Sequence, residues 1–368
     1  MQFFLMVLFF VSFGCSDHEL PTTKLARLDT SMIEKPDVAK VELGKHLFFD
    51  KRLSGNQNTS CAQCHQPNLG WQDERGLCQG YDGTENFRNC PTIVNSVFYK
   101  KLFWDGRSQS LQHQAVSAAT SPVEGNLDLI ELEERLKVVP EYVKMFKAAY
   151  GVEEISEKKV WDAVAAFEKT IIQDDTPFDR FMDGNLSALT ESQKRGLRLF
   201  TGKANCIACH NGQLLSDENF YNLGVPNPPD WVEVPQAQIT FRFAQKGKGV
   251  GEESFYKKLK IDLGRYYVTF DKNDLGTFRT PSLRYLKYTA PYMHNGVFAT
   301  LEEVVEFFNK GGGPDLVNQQ LSILTKSNKL KPLGLSESEK VDLVDFLKSL
   351  SGEQIVISPP NIPEINNN

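Results

Sequence analysis

Apolar residues recur at helical spacing over several stretches of this chain, and alternating, strand-like runs are sparse. Val160, Val164, Phe167 and Ile171 make one stripe. Leu197 and Phe200 make another, behind Thr190-Glu191-Ser192-Gln193, where the Thr hydroxyl and the Gln three residues on can each satisfy a free backbone group of the first helical turn. Thr300-Leu301-Glu302-Glu303 is a second capping box. It heads Leu301, Val304, Val305 and Phe308 at i, i+3, i+4 and i+7, and Gly311-Gly312-Gly313 ends that helix. Ser336-Glu337-Ser338-Glu339 is a third, leading Val341, Val344, Leu347 and Leu350 up to Gly352. The pattern predicts a mainly α fold.

The breaks between these stripes predict the organisation. Asp, Thr, Pro, Gly, Asn and Ser collect between Asp174 and Thr190, which reads as a boundary between two units. Val225 to Asp230, with three prolines, and Gln245 to Gly251 read as an elaborated surface loop. Ser358 to Asn368 reads as disordered. At the other end, residues 2–13 form an apolar run of export-signal length, too short to cross a bilayer comfortably as a helix. It ends at Gly14-Cys15, followed by Ser16-Asp17, a loose lipobox with no basic residue before it; Cys15 would be the lipidated N-terminus, a plain secretory signal being the alternative. The expected division is 1–15 signal and lipobox, 16–39 linker, 40–180 first domain, 181–352 second domain and 353–368 disordered tail. No internal repeat is evident beyond a pair of Cys-x-x-Cys-His motifs.

Charge removes one class of partner. The formal net charge is -6, so nothing favours nucleic acid, and a small basic protein suits the surface better. The chemistry lies in Cys61-Ala62-Gln63-Cys64-His65 and Cys206-Ile207-Ala208-Cys209-His210, the attachment signature of c-type haem written twice. In each, two thiols can form thioethers to one porphyrin and the trailing His can bind its iron. Zinc would need further Cys or His ligands, and a redox dithiol needs no trailing His. Of seven cysteines, Cys78 and Cys90 are then left besides Cys15. In an oxidising compartment they are expected to form a disulfide, two buried free thiols being the alternative.

Between and around the motifs stand Phe103-Trp104-Asp105-Gly106-Arg107-Ser108, Leu111-Gln112-His113-Gln114-Ala115, Ser121-Pro122-Val123-Glu124-Gly125, Leu43 to Asp50 and Thr289 to Gly296. This ordered set, over roughly residues 40 to 350, resembles the bacterial di-haem cytochrome c peroxidase and MauG family. The resemblance implies two cytochrome c-like haem domains meeting at an interface, with peroxide binding at the haem of Cys61, Cys64 and His65. It implies that Glu124 is the catalytic carboxylate, a fitting proton carrier for heterolysis of the O–O bond, and that Gln114 orients peroxide or water. Trp104 matches the family's Trp between the porphyrins. Asn89, Thr289 and Pro291 match its calcium site, one amide oxygen and two backbone carbonyls.

Three positions depart from the family. Tyr81 stands where many members carry a distal His; without a bond from it the first haem would be open. Phe308 stands where the second haem's other ligand would be, Met or Tyr, and a Phe cannot bind iron; the second haem then lacks a sixth ligand or takes one from elsewhere. Ala118 replaces a common Pro. His113 is expected to be a surface or packing residue, His294 to make a structural hydrogen bond, His18 to lie in the flexible segment after the lipobox and His46 to lie near a haem edge. The implied function is an exported peroxidase taking electrons from a cytochrome c or copper protein through the His210 haem, with a homodimer among the assemblies the resemblance allows. A MauG-like oxidase of a protein or organic substrate and a non-catalytic di-haem electron carrier are the rivals.

Overall fold

The computed structural model describes residues 24–82, 84–249 and 258–365. The apolar run at 2–13, Cys15 and His18 lie outside the described residues. The regular structure of the described residues is helical apart from one two-stranded antiparallel pair, Phe220–Tyr221 with Phe278–Arg279, in which Phe220 faces Arg279.

Two helix pairs, built on the same plan, make the cores. Helix Val38–Phe49 packs on Glu157–Glu168, burying Leu43, Leu47 and Phe48 against Val160, Val164 and Phe167. Helix Glu191–Thr201 packs on Glu337–Ser349, burying Leu197 and Phe200 against Leu343, Val344 and Phe346. A glycine sits at each crossing: a Cβ on Gly44 would stand 1.8 Å from the Ala163 carbonyl oxygen, and one on Gly196 2.0 Å from that of Asp342. Only glycine lets the backbones approach so closely. The same aromatic pair fills both cores, Phe48 with Phe167 at 5.3 Å between centroids and Phe200 with Phe346 at 5.2 Å.

The likeness extends to the connecting segments, which the sequence did not suggest. Pro91–Leu111 and Pro281–Leu301 follow one path at an offset of 190 residues, the difference between Pro281 and Pro91. Left-handed residues fall in step at Asn95 and Tyr285, Phe103 and Met293, and Gly106 and Gly296. Bridges do too, Leu102 with Ser108 and Tyr292 with Phe298. Each segment then enters a helix through a hydroxyl cap: Ser110 accepts from the His113 N–H ahead of Leu111–Thr120, and Thr300 from the Glu303 N–H ahead of Leu301–Asn309. The repeat is one of conformation, kept even where the side chains differ, as at Asn95 and Tyr285 or Phe103 and Met293.

Several expectations need correction. The three predicted capping boxes form, but on Glu337–Ser349 the buried face runs through Leu343, Val344, Phe346 and Leu347. Val341 is exposed, and the polar Asp342 is buried in its place, taken by Ser192 and Arg195. A fourth box, Thr176 with Asp179, opens helix Pro177–Met182 inside the presumed boundary; its Phe178 and Phe181 join the second core. The 16–39 linker is not free over its described part, because Leu25 packs in the second core and the Leu28 N–H bonds the Asp179 carboxylate. Nor is 353–368 a disordered tail at its start: the Ile355 carbonyl accepts the Trp71 indole N–H at 2.9 Å, and Ile355 and Ile357 pack on the first core. Each terminal segment thus straps the other half. Finally, the supposed surface loop holds helix Pro235–Gly247. Trp231, Ala237 and Phe241 pack there on Phe87 of the first half, with Gln245 buried.

Candidate active site

Each motif lines a cavity. Cys61, Cys64 and His65 border one of 390 Å³, and Cys206, Cys209 and His210 one of 430 Å³. The two histidines are held alike. His65 Nδ1 lies 3.2 Å from the Trp71 carbonyl oxygen, and His210 Nδ1 2.9 Å from that of Leu215. Both acceptor residues take a left-handed conformation, φ 61° and 52°, which bulky side chains avoid. That bond places the ring proton on Nδ1 and leaves the Nε2 lone pair for a metal. Burial lowers both imidazole pKa values, keeping the rings in the neutral ligand form.

This donor set fits a thioether-linked haem and fits zinc poorly. All four motif cysteines are unpaired. Among the described residues the group of three ligand atoms close enough for one ion is Cys64, Cys78 and Cys90, and the last two are joined to each other, with Cα atoms 5.2 Å apart.

The first cavity carries the polar groups. Gln114 and Ala118, from helix Leu111–Thr120, and Glu124, from the turn after it, all border it. Glu124 Oε1 accepts a hydrogen bond from Asn86 Nδ2 at 2.8 Å, while Oε2 is out of contact with solvent and has no partner among the described residues. Burial raises its pKa above the ordinary 4.5, against the pull of Arg107 and the Asn86 bond. Asn86 lies 38 positions from Glu124 in the chain, and no motif marks it.

A buried charge cluster borders the same cavity. Arg88 donates to Asp105 at 2.8 Å and to both oxygens of Asp262 at 2.5 and 2.8 Å, and Arg107 reaches Asp105 at 3.1 Å. Lys248, which caps the C-terminus of helix Pro235–Gly247 in the second half, stands 3.9 Å from Asp105. Burial favours neutral Asp105, but Arg107 and Arg88 outweigh it and hold the carboxyl well below the usual range. Sequence reasoning missed Lys248 because it sits in what looked like a loop.

Tyr81 is not on the cavity wall. Its backbone N–H bonds the Val123 carbonyl, and its hydroxyl lies beside Gly55. His113 is exposed, and His46 Nδ1 turns back to the Glu42 carbonyl at 2.9 Å.

Trp104 borders both cavities, with its indole N–H on the Asn89 carbonyl at 2.9 Å. Asn89 gives its side-chain N–H to the Gly76 carbonyl at 3.2 Å, which leaves Oδ1 as an acceptor. Thr289 and Pro291 border the first cavity with it. His294 occupies the repeat position of Trp104. Its carbonyl accepts the Asn89 backbone N–H at 2.8 Å, a structural hydrogen bond as expected, and its ring stacks flat on Phe278 at 3.6 Å and 13°. Burial, with Arg88 adding and Asp262 opposing, pushes its pKa down to about 4.

Glu168, from the end of helix Glu157–Glu168, also borders the first cavity and was not anticipated. It is buried, Oε2 has no partner among the described residues, and burial pushes its pKa up to about 8. Its native pKa lies above the ordinary 4.5, so the folded chain holds this proton more tightly than the unfolded one between those values. Stability is therefore expected to be fullest below pH 4.5 and to fall as pH rises toward about 8, at up to about 1.4 kcal/mol per pH unit. Glu168→Gln is expected to remove that slope; urea unfolding of wild type and variant at several pH values between these limits checks it.

Two haem-attachment cavities on a duplicated helical frame, one of them lined by acid and amide, define a c-type di-haem redox protein. Comparison with known proteins gives the particular family. The model of the di-haem cytochrome c peroxidase family matches residues 38–187. A cytochrome-c peroxidase of Denitromonas iodatirespirans, IdrP1, is 49% identical over 327 residues, 88% of this chain and 85% of the relative. The methylamine utilization protein MauG of Methylorubrum extorquens is 37% identical over 88% of this chain and 81% of its own. Among solved structures, a MauG-like protein associated with microbial copper homeostasis superposes with a TM-score of 0.73 at 30% identity, covering 93% of this chain and 97% of that one. The chain belongs to the di-haem cytochrome c peroxidase family, and it is a peroxidase-type oxidoreductase with two c-type haems.

Proposed function

We propose that the chain is an exported peroxidase that reduces hydrogen peroxide to water at the His65 cavity, with electrons from a small cytochrome c or copper protein arriving by way of the His210 cavity. The observation that carries this is the asymmetry of the two cavities: Gln114 and Glu124 line the first, and the repeat puts apolar Val304 at the position of Gln114 in the second. When bound, a c-type haem supplies a redox-active, Lewis-acidic iron to each cavity. Glu124 is the proton carrier, its Oε2 taking a proton from one peroxide oxygen and returning it to the departing one. Burial raises its pKa above the ordinary 4.5, which strengthens its hold on the proton in transit. Gln114 can donate to one oxygen and accept from the other. Trp104, bordering both cavities, is the relay between them.

The balance is one peroxide, two electrons and two protons to two waters. The formal charge of -6 favours a donor with a basic face. Calcium would be held by Asn89 Oδ1 and the Thr289 and Pro291 carbonyls, a neutral oxygen set that suits a hard cation. Lipidation of Cys15 would tie the protein to the cell envelope.

The test is stoichiometry. Two equivalents of reduced cytochrome c or copper protein should be oxidised per peroxide consumed, without release of oxygen. Peroxide consumption that instead modifies an added protein substrate would favour the oxidase alternative, and no consumption would favour the electron carrier.

A further inference from the structure

The two cavities are copies of one design with the helix side chains exchanged. The offset that lays Pro91–Leu111 on Pro281–Leu301 carries Gln114 onto Val304, Ala115 onto Val305 and Ala118 onto Phe308, and all six residues border their respective cavities. Two positions that looked like unrelated oddities in the sequence, Ala118 and Phe308, are therefore one position of the repeat. In the second cavity this helix offers carbon only.

Of the other side chains with a ligating atom at the second cavity, Met293 borders both cavities and takes the repeat position of Phe103, while the tyrosines are committed elsewhere. The Tyr292 hydroxyl donates to the Leu286 carbonyl at 2.8 Å. The Tyr221 hydroxyl is shared by Asp217 at 2.8 Å and Lys329 at 2.6 Å. The His294 ring lies flat on Phe278, at the place Trp104 takes in the first half.

We propose that a haem held by His210 receives no sixth ligand from the protein, and that the apolar wall of Val304, Val305 and Phe308 makes its cavity a second ligand site, for small uncharged diatomic molecules of the carbon monoxide and nitric oxide class. Such ligands need a metal with a free position, and they need no proton donor. Peroxide needs a proton carrier and an orienting amide, and the helix wall of the second cavity supplies neither. The inference rests on both motifs attaching haem.

The experiment uses the holoprotein reduced with dithionite, its haem content fixed by the pyridine haemochrome spectrum and carbon monoxide titrated while the Soret band is followed. The expected result is two haems and two carbon monoxide molecules per chain. Phe308→Met is expected to halve that to one, by supplying a thioether ligand, with resonance Raman showing one haem turned six-coordinate low-spin. His294→Ala is expected to leave it at two. Two haems with only one carbon monoxide bound in wild type overturns the proposal, and recovery of the second in His294→Ala or in Met293→Leu would name that residue as the ligand. Fewer than two haems per chain would overturn the haem assignment beneath it.

Discussion

Glu124→Gln is expected to lower peroxide turnover by about 10²- to 10⁴-fold, the range over which a positioned general acid–base contributes, while both haems, the fold and donor binding stay intact. Gln keeps the size of the side chain and an oxygen for the Asn86 N–H, which now meets Glu124 Oε1 at 2.8 Å. It removes only the capacity to take up and return a proton. In wild type the acid limb of kcat/KM should lie above the pH 4.5 of an ordinary Glu, because burial favours the neutral acid and the base form is needed to begin the reaction. Turnover should rise as pH climbs through that pKa, and the limb should vanish in the variant. Steady-state peroxide reduction from pH 4 to 8, with haem spectra recorded for both proteins, checks this; an unchanged rate removes Glu124 from the chemistry.

Arg88→Met is expected to be the most destabilising single change at the junction, at about 3–5 kcal/mol. Arg88 joins Asp105 of the first half to Asp262 of the second, and the three side chains are 8%, 1% and 7% exposed. Its removal leaves two carboxylates out of water with only Arg107 and the more distant Lys248 to offset Asp105. The native ion pairs hold Asp105 below the ordinary 3.8, so its contribution is present above that value and is lost as pH falls through the native pKa. The variant's deficit should accordingly shrink on acidification, as the abandoned Asp105 carboxylate takes up a proton. Urea denaturation at pH 7 and pH 4 measures both numbers. Arg88→Met combined with Asp262→Leu should recover part of the loss, which a purely steric effect would not allow.

The sequence was legible where local rules act. Capping boxes at Thr190, Thr300 and Ser336 depend on residues three apart, and each formed. The Cys-x-x-Cys-His spacing is equally local. Val341 shows the limit: helical periodicity admits it to the apolar face, yet the face is fixed by where Gly196 lets the backbones touch, and that buries Asp342. The duplication was hidden because it resides in backbone conformation. Asn95 and Tyr285, or Phe103 and Met293, share a left-handed φ and little else. Asn86, Lys248 and Glu168 were missed because each reaches the first cavity through tertiary packing, from segments without a motif. The terminal straps were missed for the same reason, since Leu25 and Ile355 gain partners only once the other half has folded.

The central claim is that two copies of one haem cavity have divided the work, with O–O chemistry confined to the one that Gln114 and Glu124 line. The most direct measurement is stopped-flow reaction of stoichiometric peroxide with a Cys61→Ala, Cys64→Ala protein that keeps only the His210 haem. The account predicts that the rapid peroxide reaction of wild type is lost while that haem remains reducible by donor. Reaction at the wild-type rate would contradict it.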